Sequence, residues 1–269
     1  MSVKTAGLAC VLCVVVALLL FSSPSALALQ TIQCKTVKKD NFYQNGIPFY
    51  GFKSKQTISA FIMMKPIMAN YLFAPDNSQG VYCTQSWNKL YGATRCGYLD
   101  TVHEDSDRFV WRRPITCVKT DAQGHVLGNV DHCPLANKVQ VAAYAYDNGQ
   151  EPFQHQGTLL KEFTTLVDTD VWYEYELIFE QDKTTYNLYS TNVSNSSGSS
   201  SKLKKLLNSF KRGKASVSAS NVTRGQLLES KQIIHGKQCS NYTKGMYLDL
   251  YFGGRCPAPA DIHCCYIYN

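Results

Sequence analysis

Of 269 residues, 27 are basic and 20 acidic, a formal charge of +7, yet charged residues are only 17% of the chain, and Tyr and Phe are abundant (17 and 12). That composition excludes a disordered chain and argues against a charged helical bundle; it suits a β-rich fold with an aromatic interior.

Lys4, the uncharged apolar run Ala6 to Phe21, the break at Ser23-Pro24-Ser25 and the small residues Ala26-Leu27-Ala28 have the layout of a secretory signal peptide. The apolar run is shorter than the roughly 18–20 residues a spanning helix requires. Residues 1–28 are thus expected to be removed, leaving 29–269 as a single disulfide-bonded, β-rich domain, secreted and without a transmembrane segment. Past the leader lie Cys34, Cys83, Cys96, Cys117, Cys133, Cys239, Cys256, Cys264 and Cys265. In an oxidising compartment they read as disulfide candidates, four bridges and one thiol, with Cys133 or Cys34 as the odd residue. Adjacent Cys264 and Cys265 are expected to reach two different places, because a bridge between neighbours closes a strained ring.

Along the chain, Ile58 to Met64 reads as a short helix or the first strand. Arg108 to Thr120 is extended, with Pro114 marking an edge or a bulge. Val139 to Tyr146 alternates and ends in the turn signal Asp147-Asn148-Gly149. Val171 to Phe179 alternates more strictly, with Val171, Tyr173, Tyr175, Leu177 and Phe179 on one face and Trp172, Glu174, Glu176 and Ile178 on the other. Gln181-Asp182-Lys183 turns the chain back, and Met246 to Phe252 forms a late strand stopped by Gly253-Gly254. About seven to nine strands in all predict an antiparallel barrel or a sandwich.

Ser190 to Ser201 is nearly all Ser, Asn, Thr and Gly and reads as a solvated low-complexity loop. It carries sequons at Asn192 and Asn195, and two more follow at Asn221 and Asn241, so these four asparagines are the expected glycosylation sites. Next comes a predicted amphipathic helix, with Leu203, Leu206, Leu207 and Phe210 on one stripe. Lys204, Lys205, Lys211 and Arg212 lie largely on its other faces and would carry whatever polyanion binding the protein has, a glycosaminoglycan being the partner that such a basic patch implies. No nucleic-acid partner is expected.

Trp172, Glu174 and Glu176 combine an aromatic plane with carboxylates, the chemistry of a cationic-amine site if that face lines a cavity. The simpler arrangement turns the apolar face inward and leaves the glutamates in solvent. Asp249 between Tyr247 and Tyr251 poses the same choice. Asp131-His132-Cys133 and His263-Cys264-Cys265 lack the paired spacing of a metal site. No Gly-x-Ser-x-Gly, His-Glu-x-x-His or phosphate-cradling loop occurs, so no catalytic residue, cofactor or enzyme activity is expected.

Together with the leader and the late helix, Val139 to Phe210 and the tail Gly254-Arg255-Cys256-Pro257 to Cys264-Cys265-Tyr266 resemble the secreted salivary glycoproteins of ticks, either the lipocalins that include the histamine binders or the salivary immunosuppressants. The first resemblance implies a lipocalin-like barrel that sequesters a small mediator, a biogenic amine or a lipid. The second implies a pocketless immunomodulatory glycoprotein that binds a host protein or another cell-surface macromolecule.

Overall fold

The computed structural model describes residues 31–43, 51–53, 57–74, 79–94, 105–147, 159–193, 217–218, 222–235, 244–253 and 256–269. Their strands are β1 (Thr31–Val37), β2 (Gly51–Lys53), β3 (Thr57–Met64), β4 (Asn88–Thr94), β5 (Ser106–Arg112), β6 (Val118–Thr120), β7 (Val126–Asn129) and β8 (Lys138–Tyr146). There follow β9 (Leu160–Glu162), β10 (Val167–Asp168), β11 (Trp172–Phe179), β12 (Lys183–Val193), β13 (Val217–Ser218), β14 (Val222–Ile234), β15 (Lys244–Leu248) and β16 (Ile262–Tyr268). The helices among them are short: α1 (Ile67–Asn70), α2 (Gly80–Gln85) and a 3-10 turn at Ile115–Cys117. None is long and apolar enough to cross a membrane. The predicted amphipathic helix lies outside the described residues.

The strands make two large antiparallel sheets and a two-stranded ribbon, β6-β7. One sheet runs β13-β1-β16-β3-β11-β12-β14; the other runs β10-β8-β5-β4-β15-β2, with β9 also pairing β8. Of the two architectures expected, the sandwich holds and the barrel does not: each sheet packs its apolar residues against the other. Tyr173, Tyr175, Leu177 and Phe179 of β11 enter one core with Val139, Val141, Ala143 and Ala145 of β8, as alternation along each strand requires. Phe109 of β5 meets Tyr175 and Tyr186 edge-on across the interface, ring centroids 5.0 and 5.4 Å apart. Beside them Asp107 is fully buried and accepts from Thr184 Oγ1 (2.8 Å) and Tyr186 Oη (2.7 Å). Thr184 Oγ1 also lies 3.1 Å from His235 Nε2, so a hydrogen-bonded knot ties the sheets where aromatic packing alone would leave a carboxylate unmatched.

Ile58 to Met64 is the strand β3, not a helix. Arg108 to Thr120 is not one edge or bulged strand: β5 is paired on both sides and ends at Arg112, and after Pro114 the chain makes the 3-10 turn before β6. The first residues of the low-complexity segment, Ser190 to Val193, belong to β12, and Thr191 to Val193 pair with β14. Gly253 stops the late strand at φ +85°, where an added Cβ would meet the Cys256 carbonyl oxygen at 2.0 Å.

The β13-to-β14 sheet is strongly curled. Six strand spacings of ~4.8 Å would separate β13 from β14 on a flat sheet, about 29 Å in all. Yet Ser218 and Val222 are four peptide steps apart, a reach of at most about 15 Å. Accordingly Val222 packs against Phe61 and Ile267 on the side of the sheet away from the main core. Among the described residues β13 pairs with β1 alone, so the curl stops short of closure.

Three disulfides staple this frame: Cys34–Cys265 between β1 and β16, Cys83–Cys256 from α2 to the segment after β15, and Cys117–Cys133 around the ribbon. The expected framework is present, but its odd member is neither Cys133 nor Cys34. The free thiol among the described residues is Cys264, whose burial pushes its pKa up to about 12. Cys96 and Cys239 lie outside the described residues.

Glu229 of β14 fastens the curled sheet to the turn between β9 and β10. Its carboxylate accepts from the backbone N–H groups of Thr164 (3.1 Å) and Thr165 (2.8 Å) and from Thr164 Oγ1 (3.0 Å), with Lys231 Nζ at 2.8 Å. Burial alone would raise its pKa, but these donors outweigh burial and hold it at about 2. A depressed carboxyl stabilises the fold above its unfolded pKa and loses that contribution as pH falls toward the folded value. Glu229→Gln should therefore lower the melting temperature at pH 6, with the difference from wild type shrinking progressively between pH 5 and pH 2. A gap of constant size across that range would mean that Glu229 acts through shape and not through charge.

Candidate functional site

The outward face of β11 is the most elaborate polar arrangement on the curled sheet. Register places three rows across it. One runs Cys34, Cys265, Met63, Trp172, with the pair Thr191 and Arg224 beside it; the next Ile267, Phe61, Glu174, Tyr189; the third Ser59, Glu176, Asn187, Ser230. Residues two apart on a strand share a face, which is why the sequence Trp172-Tyr173-Glu174-Tyr175-Glu176 presents one ring and two carboxylates side by side.

The glutamates do face away from the main core, as the simpler arrangement predicts, but they are not in solvent. Their side chains are 2% and 8% exposed, and Arg224 lies over both. Arg224 Nε donates to Glu174 Oε2 at 2.7 Å; its Nη2 donates to Glu174 Oε1 at 2.8 Å and to Glu176 Oε1 at 2.5 Å. Glu176 Oε2 accepts from Asn187 Nδ2 and Tyr189 Oη, each at 2.9 Å, while Asn269 Nδ2 reaches Glu174 Oε1 at 3.2 Å. Burial pushes the Glu176 pKa up, but donation by Asn187, Arg224 and Tyr189 prevails and holds it below the usual carboxylate range. Arg224 is held above its ordinary value, first by its hydrogen bond to Glu174.

The guanidinium stays accessible, with 42% of its side chain exposed, and it sits over the Tyr189 ring with Cζ 4.2 Å from the centroid. Half-buried Trp172 adds a second aromatic surface on the same face, and Thr191 Oγ1 bonds its carbonyl at 2.7 Å. The result is a solvated fork of N–H donors backed by two carboxylates and bordered by aromatic planes. Because Arg224 already occupies both carboxylates, the amine chemistry read from Trp172, Glu174 and Glu176 is internally satisfied.

The fourth ligand-binding candidate goes elsewhere. Asp249 is buried at the sheet interface, bonded to Lys35 Nζ and accepting from Tyr268 Oη at 2.7 Å. Lys35 Nζ in turn lies 2.6 Å from Tyr268 Oη and about equally far from the Tyr266 and Tyr268 rings (5.1 and 5.0 Å). This is an internal ion pair. Lys204, Lys205, Lys211 and Arg212, like Asn195, Asn221 and Asn241, lie outside the described residues. Asn192 is exposed near the end of β12. Among the described residues no cluster of His, Cys, Asp and Glu could hold a metal ion: Cys133 and Cys265 are in disulfides, and His263 Nδ1 is hydrogen-bonded to Thr36.

Sequence reasoning missed Arg224, Asn187, Tyr189 and Asn269. The strand alternation that exposed Glu174 and Glu176 also runs through Asn187 and Tyr189, so their half of the site was within reach. Arg224, nearly fifty residues beyond the glutamates, had no local signal.

No family profile and no curated protein matches the sequence. Among solved structures, the chain is similar to a Bacteroides ovatus family 16 glycoside hydrolase from a mixed-linkage glucan utilisation locus, solved with its G4G4G3G product. The match covers 89% of this chain and 80% of the other at 8% identity, with a TM-score of 0.33, and it assigns no activity. The family reading is withdrawn all the same, because the two packed sheets are not the closed barrel of a lipocalin. The structural likeness is to a carbohydrate-active enzyme, not to a tick lipocalin, a histamine binder or a salivary immunosuppressant. With that resemblance go its implications, namely the lipocalin-like carrier of a small mediator and the immunomodulatory alternative. The expectation that the chain is not an enzyme is also withdrawn; it rested only on missing short motifs.

Proposed function

We propose that the protein is a secreted carbohydrate-recognition protein and that the outward face of β11 is its binding surface. The observation that carries this reading is the Arg224 fork, held rigid by Glu174 and Glu176 and stacked on Tyr189 beside Trp172. Neighbouring sugar hydroxyls need donors and acceptors in fixed, closely spaced positions, and the carbon-bound hydrogens of a pyranose face suit an aromatic plane. The exposed Arg224 guanidinium meets the first requirement, with Glu174, Glu176 and Asn187 buried beneath it as its fixed backing, and Trp172 and Tyr189 supply the second. Preorganisation matters because a side chain already fixed loses little entropy on binding. The disulfide framework supports an extracellular setting.

The two carboxylates also bear on bond cleavage. Both contact Arg224 Nη2, which keeps the bonded oxygens within about 5 Å, near the roughly 5–5.5 Å carboxyl separation of double-displacement glycoside hydrolysis. Hydrolysis also needs one of the pair to carry a proton, so measurement of reducing ends decides between recognition and cleavage.

A panel of neutral polysaccharides, β-glucans included, should contain at least one that retards the protein in affinity electrophoresis. Trp172→Ala and Arg224→Lys should each weaken that retardation about tenfold, roughly 1.4 kcal/mol, without unfolding the chain. Parallel measurement of reducing ends separates binding from hydrolysis. Failure of every polysaccharide to bind, or full retention by both variants, would overturn the reading.

A further inference from the structure

A second polar site lies at the far end of β5, remote in sequence from the β11 face. Arg113, the residue after β5, is 1% exposed. One of its Nη1 hydrogens goes to the Tyr71 carbonyl, and Nη2 donates to Asn129 Oδ1 (2.9 Å) and to the Cys117 carbonyl (3.3 Å). All these acceptors are neutral, no carboxylate pairs with Arg113 among the described residues, and Nε has no hydrogen-bond partner. A guanidinium taken out of water without an anion beside it is costly, because carbonyl dipoles offset only part of the lost hydration.

Arg113 also lines a cavity of about 210 Å³, the space of some seven waters at ~30 Å³ each. Asn70, Asn129, His132 and the Cys117–Cys133 disulfide form the rest of its polar and sulfur wall. Asp131, the acid next to His132 in the sequence, is exposed and engaged with Lys119 at 2.7 Å. Asn129 directs Oδ1 at Arg113, which leaves its amide nitrogen free as a further donor. A buried cation without a carboxylate partner and a neutral amide with a further donor, both lining one cavity, combine the features of an oxyanion receptor.

We propose that this cavity binds one small oxyanion, a carboxylate, sulfate or phosphate group, through Arg113 and Asn129. The charge of the ligand supplies the counter-ion that the fold withholds, and the Cys117–Cys133 bridge fixes the wall on which it rests.

The test uses the full chain in thermal unfolding at constant ionic strength, with chloride as reference and sodium acetate, sodium sulfate and sodium phosphate as probes. At least one oxyanion should raise the melting temperature by several degrees over chloride, increasing with concentration, and the ranking of the three identifies the class of group bound. Arg113→Lys keeps a charge but loses the planar fork, and should reduce the rise. Because Arg113 is buried and that variant can fail to fold, Asn129→Asp is the decisive one. It places a carboxylate against the guanidinium, so it should melt higher than wild type in chloride and show no further gain from any oxyanion. Equal melting in all four salts would overturn the site, as would an oxyanion gain undiminished in Asn129→Asp.

Discussion

Lys35→Met should destabilise the protein by about 3–5 kcal/mol, because it strands Asp249 as a buried carboxylate without its cation. For a domain of this size about 2–4 °C is lost per kcal/mol, so the melting temperature should fall by on the order of 10 °C. The side chains are 9% and 2% exposed, so little water can enter to take over. Burial depresses the Lys35 pKa, and Asp249 opposes that by favouring the charged form. Replacing both partners, Lys35→Met with Asp249→Leu, should recover much of the loss, since the double variant buries no unmatched charge; the remaining cost is the Tyr268 hydroxyl left without its acceptor. The contrast pair is Lys38–Asp261, 2.7 Å apart but with side chains 53% and 39% exposed. Removing Lys38 should cost no more than about 1 kcal/mol. If Lys35→Met proved as mild as loss of Lys38, water would have to reach Asp249 in the folded protein.

Removing the Cys83–Cys256 bridge should cost about 3–5 kcal/mol, measured by urea unfolding of the double Ala variant. The two cysteines are 173 residues apart, and the conformational freedom returned to the unfolded chain grows with the loop that is opened. Cys34–Cys265 encloses an even longer stretch, so part of that freedom stays restrained and the upper figure is a ceiling. The bridge also holds α2 against the segment that follows Gly253, where Tyr71, Phe73, Trp111 and Phe252 pack ring to ring. A loss below 1 kcal/mol would show that aromatic packing alone fixes this corner.

What could be read from the chain was its local rhythm. The alternation in Val139 to Tyr146 and Val171 to Phe179 correctly separated inward from outward residues, because strand period is a property of neighbours. The apolar segment Ile58 to Met64 defeated that reading: β3 is buried on both faces in a sheet whose outer side is covered by Val222, so the alternation is lost. Partners were not legible. Asp249 resembled a ligand group because its cation, Lys35, lies 214 residues away, and the glutamates seemed solvated because Arg224 comes from β14, which becomes their neighbour only when β12 pairs between it and β11. The odd cysteine was misassigned for the same reason, since pairing depends on which strands become neighbours.

Neighbouring Cys264 and Cys265 point to opposite faces of β16, one into the core beneath Met63 and the other across to Cys34. To exchange partners, β16 would have to slide by one residue and turn Tyr266 and Ile262 out of the core. The strand's own pleat therefore acts as a proofreader of oxidation: a thiol one peptide bond from a reactive sulfur is kept from it by direction rather than distance. An oxidised chain that had bonded the wrong neighbour could not seat its last strand, and its misfolding would itself leave the faulty linkage open to correction.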